Sequence, residues 1–199
     1  MAGESHYFVA DPAVASRPST VRLELPDVSF ELAVDRGVFS GDRVDAGTKH
    51  LLLDAPAPPP SGTFVDLGCG YGPIACTLAH RAPGAVVWAV DVNHRALDLC
   101  ARNAAAAGLA NVRPVPADEV PARLEVDLIW SNPPIRIGKA ALHDLLSGWL
   151  GRLVPGGRAL LVVARNLGAD SLHRWLDESG WPTERLASRA GYRLLEVRR

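Results

Sequence analysis

"TFVDLGCGYGP", residues 63–73, passes from a short apolar run through Gly68, Gly70 and Gly72 to a proline. A short apolar run bounded by turn formers predicts a buried strand and not a helix. Pro73 suits the first position of a helix, where no backbone N–H is needed. The stretch therefore reads as strand, glycine turn and helix start, with the helix predicted over residues 73–82. Glycines let a backbone approach a ligand closely, and a helix N-terminus attracts negative charge. Dinucleotide-binding proteins carry a similar loop with a sixth-position glycine. Here Pro73 occupies that place.

Outward from this stretch, strands and helices alternate. Strands are predicted over 85–91, 111–118, 125–131, 157–164 and 191–199, and helices over 93–108, 139–153 and 169–180. That alternation is the pattern of an α/β domain with a mainly parallel sheet. Upstream, "TVRLEL" (20–25) and "VSFELAV" (28–34) alternate apolar and polar residues around Pro26-Asp27, a hairpin signal. Residues 35–52 lead through glycines into a short apolar segment, and "DAPAPPPSG" (54–62) is a proline-rich loop. The organisation expected is a strand-rich extension over 1–50 packed on a core domain over 51–199.

The chain has 199 residues, enough to bury a substantial core, and its 48% hydrophobic and 22% charged composition is that of a globular protein. No basic-then-apolar leader and no membrane-spanning run is visible, so a cytoplasmic protein with no membrane partner is expected. Cys69, Cys76 and Cys100 form no C-x-x-C pair, which argues against zinc and disulfides, and no metal is expected. The net charge of −1 gives no global nucleic-acid signal. Residues 150–199 nevertheless carry nine arginines against five acidic side chains. That bias fits either codon usage or a basic face toward phosphate.

In open parallel sheets the ligand lies beyond the carboxyl ends of the strands, where the strand order reverses. The chemistry-bearing residues of this chain fall at those ends. Asp66, Gly68, Gly70 and Gly72 follow the first body strand. Asp91 follows the second and can accept from both hydroxyls of a ribose; the alternative is helix capping, by Asp91 or, in preference, by Asn93. Asp118 follows the third, as an acceptor for an adenine amine or as a turn residue. The fourth strand ends in "SNPPIRIGK" (131–139). Proline fixes its own φ and holds the preceding residue extended. Asn132-Pro133-Pro134 is thus a stiff corner expected to present free acceptors.

Together these strand ends resemble the class I S-adenosylmethionine-dependent methyltransferases. "VDLGCGYG" (65–72) is similar to their cofactor loop, and "NPPI" (132–135) to the Asn/Asp-Pro-Pro-aromatic motif of enzymes that methylate planar nitrogens. "HYF" (6–8), "GVFSGDRVDAGTKHLL" (37–52), "SNPPIRIGK" and "GYRLLEVRR" (191–199) resemble the methyltransferase-small group, whose members include ribosomal RNA guanine-N2 methyltransferases (RsmC-like). The resemblance covers essentially the whole chain. It matches the catalytic half of larger members that carry an additional amino-terminal copy of the fold.

The resemblance implies a Rossmann-like, seven-stranded, mainly parallel sheet with helices on both faces, plus the N-terminal β-hairpin. It implies S-adenosylmethionine as cofactor, held by Asp66, Gly68, Gly70, Gly72, Asp91, Asn93, Asp118 and Asn132. It implies ribosomal RNA or a ribosomal particle as partner. Asn132, Pro133, Pro134 and Ile135 would form the catalytic corner, with the Asn132 oxygen and the Pro133 carbonyl accepting from the target amine. Ile135 departs from the usual aromatic, so stacking on the base would pass to Phe39 or be replaced by apolar contact, while Arg136 and Lys139 would meet phosphate or stand as solvated surface charges. Asp45 and Gly47 would border the cofactor or shape their loop. Cys69 reads as a packing residue. Three other readings compete: methylation of a release-factor glutamine, a catalytically silent RNA-binding assembly factor, and an NAD oxidoreductase, which Pro73 disfavours.

Overall fold

The computed structural model describes residue 10, residues 12–40 and residues 43–199. "HYF" at 6–8 and the Gly41-Asp42 pair therefore lie outside the described residues. Strands β1 (Ser19–Glu24) and β2 (Ser29–Val34) form an antiparallel hairpin. Helix α1 (Ala46–Asp54) follows, then β3 (Ser61–Leu67), α2 (Pro73–Arg81), β4 (Gly84–Asp91), α3 (His94–Ala106) and β5 (Val112–Pro116). The chain continues through β6 (Val126–Ser131), α4 (Lys139–Leu150), β7 (Leu153–Ala164), α5 (Ala169–Glu178), β8 (Thr183–Arg189) and β9 (Tyr192–Arg198).

Strands β3 to β9 form one seven-stranded sheet in the order β5-β4-β3-β6-β7-β9-β8. The first five in that order pair in parallel, and β9 runs antiparallel to both β7 and β8. Adjacent residues of the central strands face opposite sides. Phe64, Leu128, Trp130, Leu160 and Val162 pack beneath α1–α3 and the hairpin. Val65, Ile129, Leu161 and Val163 pack beneath α4 and α5. A sheet covered on both faces favours apolar residues on both sides of its central strands, hence the runs "LIW" (128–130) and "ALLVVA" (159–164).

Three elements differ from the sequence expectation. The "short apolar segment" is helix α1, which begins because the Asp45 side chain caps it, accepting from the Thr48 N–H. Gly47, a poor helix former, obscures it in the sequence. Helix α4 ends at Leu150, and β7 begins at Leu153 because the register shift against β6 accommodates Pro155 and the glycines after it. Strand β8, "TERLASR", is an edge strand with no fully buried residue, so it lacks the hydrophobic alternation by which the other strands are read. The division expected at residue 50 falls within α1.

The outer edge of the hairpin is joined to α3 by a buried side chain. Asn103 of α3 is buried; its Oδ1 accepts from the Ala33 N–H (2.7 Å), and its Nδ2 donates to the carbonyls of Ala33 (3.0 Å) and Tyr71 (2.8 Å). It completes the outer edge of β2 as a neighbouring strand would. Asn103→Ala should lower stability by about 2–4 kcal/mol, because the backbone groups it serves are left unpaired in the interior. Urea unfolding checks this: the midpoint should fall with the slope preserved.

Candidate active site

The strand order turns back on itself between β3 and β6, so the connections leaving their carboxyl ends diverge. The opening holds a cavity of about 490 Å³ lined by Gly68, Gly70, Asp91, Asn93, Asn132, Pro133, Pro134 and Ile135, among others. A second hollow of about 420 Å³, beside the Asp27–Arg81 ion pair, lies at the opposite end of the strands and gathers none of these residues.

One wall is the glycine turn. Gly68 and Cys69 donate to the Val90 carbonyl at 2.8 and 3.0 Å, which folds the loop across the end of β4. Gly68 and Gly70 have φ of 78° and 54°, and no atom lies within 4 Å of where a Cβ would stand on either. Both face open space with bare backbone, as a ligand cradle requires. Gly72 serves packing instead, because a Cβ there would meet Cys100 Sγ at 2.6 Å.

Asp66 lies beneath the loop and does not line the cavity. Its Oδ2 accepts from the Ala75 N–H at 2.9 Å, anchoring the first turn of α2, whose leading residue Pro73 has no N–H to offer. Its Oδ1 is buried with no partner among the described residues. Burial pushes its carboxyl well above the ordinary 3.8, opposed by the Ala75 hydrogen bond and reinforced by the Asp91 charge. Asp91 does line the cavity, accepting from the N–H groups of Gly70 (2.9 Å) and Asn93 (3.0 Å). Burial raises its pKa too, against those backbone bonds. Asn93 caps α3 through the Ala96 N–H at 3.2 Å and donates to the Gly37 carbonyl at 2.8 Å.

The opposite wall is the proline corner. Buried Ser131 donates to the Leu67 carbonyl at 2.7 Å, bracing the ends of β6 and β3 against each other. Asn132 Nδ2 donates to Asp45 Oδ1 at 2.7 Å and to Thr48 Oγ1 at 3.1 Å. The Pro133 carbonyl is not free, as the sequence suggested. It accepts from the Ile135 N–H at 2.8 Å, with Pro134 at φ −75° and ψ 72°. That is an inverse γ-turn, which leaves the carbonyl one lone pair.

Phe39, 44% exposed, and Arg136 border the cavity, whereas Asp118 and Lys139 are exposed beyond its lining. Sequence reasoning missed Tyr192, brought to the cavity by the antiparallel β9 with no local signal to mark it. Its phenol pKa is raised by burial and by the Asp45 charge. Among the described residues no three His, Cys, Asp or Glu side chains are grouped to hold a metal, and no helix is long and apolar enough to cross a membrane.

The sequence profile of the methyltransferase small domain family matches residues 29–196. The chain belongs to this family. S-adenosylmethionine is the cofactor the family uses. YbxB of Bacillus subtilis, described as uncharacterized, is 31% identical over 98% of both chains. A ribosomal RNA small subunit methyltransferase C of Shewanella amazonensis is 34% identical over 75% of this chain, which spans 44% of that relative. In fold the chain is similar to a T. thermophilus 16S rRNA N2 methyltransferase (RsmC) solved with AdoMet and guanosine. The TM-score is 0.79 at 24% identity, over 94% of this chain and 52% of the other.

In this member of the family Asp66 holds its proton more tightly folded than unfolded. Between 3.8 and the raised native value, unfolding releases that proton, so rising pH favours the unfolded chain. Asp66→Asn keeps the acceptor for Ala75 and abolishes the titration. Measured by urea unfolding from about pH 4 to 8, wild type should lose stability relative to Asp66→Asn as pH rises, levelling off above the native pKa.

Proposed function

We propose that this protein is an S-adenosylmethionine-dependent N-methyltransferase that modifies the exocyclic N2 amine of a guanine in ribosomal RNA. The observation that carries this reading is the placement of two unlike walls across one cavity. A bare glycine turn with an acidic side chain faces a rigid amide-and-proline corner at the switch point. The residues fit the cofactor. Gly68 and Gly70 leave room for close backbone approach, and Asp91 retains lone pairs for ribose hydroxyls after accepting its backbone bonds.

Bound there, S-adenosylmethionine supplies an activated methyl group, so the protein's task is to place a nucleophile in line. The N2 lone pair of guanine is conjugated into its ring and attacks poorly unless the amine is oriented. The oxygen of Asn132 and the remaining lone pair of the Pro133 carbonyl are the acceptors that fix its N–H bonds. They also face the positive charge that develops on nitrogen. The γ-turn keeps the second acceptor from swinging. Ile135 and Phe39 flank the base by apolar and aromatic contact, and Arg136 lies where phosphate would follow. The named activity of the Shewanella relative and the guanosine-bound T. thermophilus fold support ribosomal RNA as the substrate class.

Calorimetry should show binding of S-adenosylmethionine and not of NAD, with Asp91→Ala weakening it by about 1.5–3 kcal/mol. Deleting the gene should remove N2-methylguanosine from one rRNA position, read by nucleoside mass spectrometry. Unchanged rRNA with a lost methyl on a release-factor glutamine would redirect the substrate. Asn132→Ala should lower kcat on the order of a hundredfold while sparing cofactor affinity.

A further inference from the structure

An asparagine amide is ambiguous. Its oxygen and its NH2 have nearly the same shape, and only one of them suits a site that must receive an amine. If the NH2 of Asn132 faced the cavity, it would repel the N–H groups it is proposed to hold. What decides the orientation lies 84 and 87 residues away in sequence, on the first turn of α1.

We propose that Asp45 and Thr48 are positioning residues that lock the Asn132 amide with its oxygen toward the cavity, and so select a hydrogen-bond donor as the methylated group. The proposal rests on the N-methyltransferase reading and adds the residues that set its polarity. Asp45 Oδ1 receives the Thr48 N–H at 3.0 Å and Asn132 Nδ2 at 2.7 Å. A carboxylate has only acceptors to offer. Turning the amide over would set its carbonyl against that carboxylate. Thr48 Oγ1, buried with its residue, accepts from the same Nδ2 at 3.1 Å. Both Nδ2 hydrogens are thereby used, and Oδ1 makes no hydrogen bond among the described residues.

The backbone explains why this turn sits so close. A Cβ on Gly47 would meet the Tyr192 ring at 2.7 Å and Asp45 Oδ1 at 3.0 Å. Asp45, Gly47 and Thr48 of "DAGT" thus act together: an acceptor, a point of close approach to β9, and a second acceptor. The helix cap at Asp45 holds its carboxylate still, and the α1 N-terminus favours its charge.

Three variants of the full chain test this. Asp45→Ser keeps a helix-capping oxygen but is too short to hold Asn132. Asn132→Asp sets two carboxylates against each other. The double variant Asp45→Asn with Asn132→Asp restores a donor–acceptor pair with its direction exchanged and returns a carboxylate oxygen to the cavity. The first readout needs no substrate: hydrogen exchange of the Asn132 side-chain amide by NMR, assigned from its absence in Asn132→Asp. Protection should fall by about tenfold or more in Asp45→Ser. The second is single-turnover methyl transfer at saturating cofactor. It should fall about tenfold to a hundredfold in Asp45→Ser with cofactor affinity unchanged, as when a partner that orients a ligating group is removed. The double variant should exceed Asn132→Asp by about tenfold.

An amide as well protected in Asp45→Ser as in wild type overturns the proposal whatever the substrate is. So does wild-type turnover in a variant whose amide has been released, or a double variant no faster than Asn132→Asp. If the wild-type protein transfers no methyl to ribosomal RNA, the substrate reading fails, and amide exchange alone decides the orientation.

Discussion

Strand β3 pairs in parallel with β4 on one edge and with β6 on the other. Parallel strands cannot be joined by tight turns, so the chain must leave β3 and β6 through crossovers. The crossover after β3 carries α2 onto one face of the sheet, and the crossover after β6 carries α4 onto the other. The diverging ends leave the cavity between them. Ser131 and Leu67 hold the two strand ends together below it, which keeps the crevice a fixed width. The glycine turn and the proline corner are each a local answer to the same demand, to turn abruptly while leaving polar atoms toward the opening.

The acids at the site divide the work by depth. Asp66, fully buried, secures the start of α2, and burial raises its pKa well above the ordinary value. Asp91, nearer the opening, accepts from the loop above it, and its pKa is raised against three opposing backbone N–H groups. The loop, pinned by Asp91 at Gly70 and bounded by the α2 turn that Asp66 anchors, holds Gly68 and Gly70 at positive φ. Rigidity of this kind suits a reaction in which the protein's part is alignment rather than proton transfer.

The segment before β3 is part of the site and no mere attachment to it. The hairpin is fixed to α3 by Asn103, Asn93 reaches the Gly37 carbonyl, and α1 brings Asp45 and Thr48 to Asn132. These bonds join the upstream third of the chain to each wall of the cavity. Of these bonds, those of Asp45 and Thr48 bear directly on the geometry of Asn132.

The sequence by itself determined the alternation of strands and helices, the glycine turn after β3, the acid after β4 and the stiff corner after β6. Each is a matter of near neighbours: hydrophobic period, the φ freedom of Gly68 and Gly70, the fixed φ of Pro133 and Pro134. The exposed edge strand β8 escaped because it buries no face, and α1 escaped because its cap and its Gly47 gave opposing signals. Only the tertiary structure placed Tyr192 at the cavity, engaged the Pro133 carbonyl in a γ-turn, set Asp66 beneath the loop and turned the Asn132 amide. Most of these contacts join residues from different elements, and the contact that orients Asn132 spans 87 positions. The order in which strands pair fixes such distances, and no local pattern of residues encodes that order.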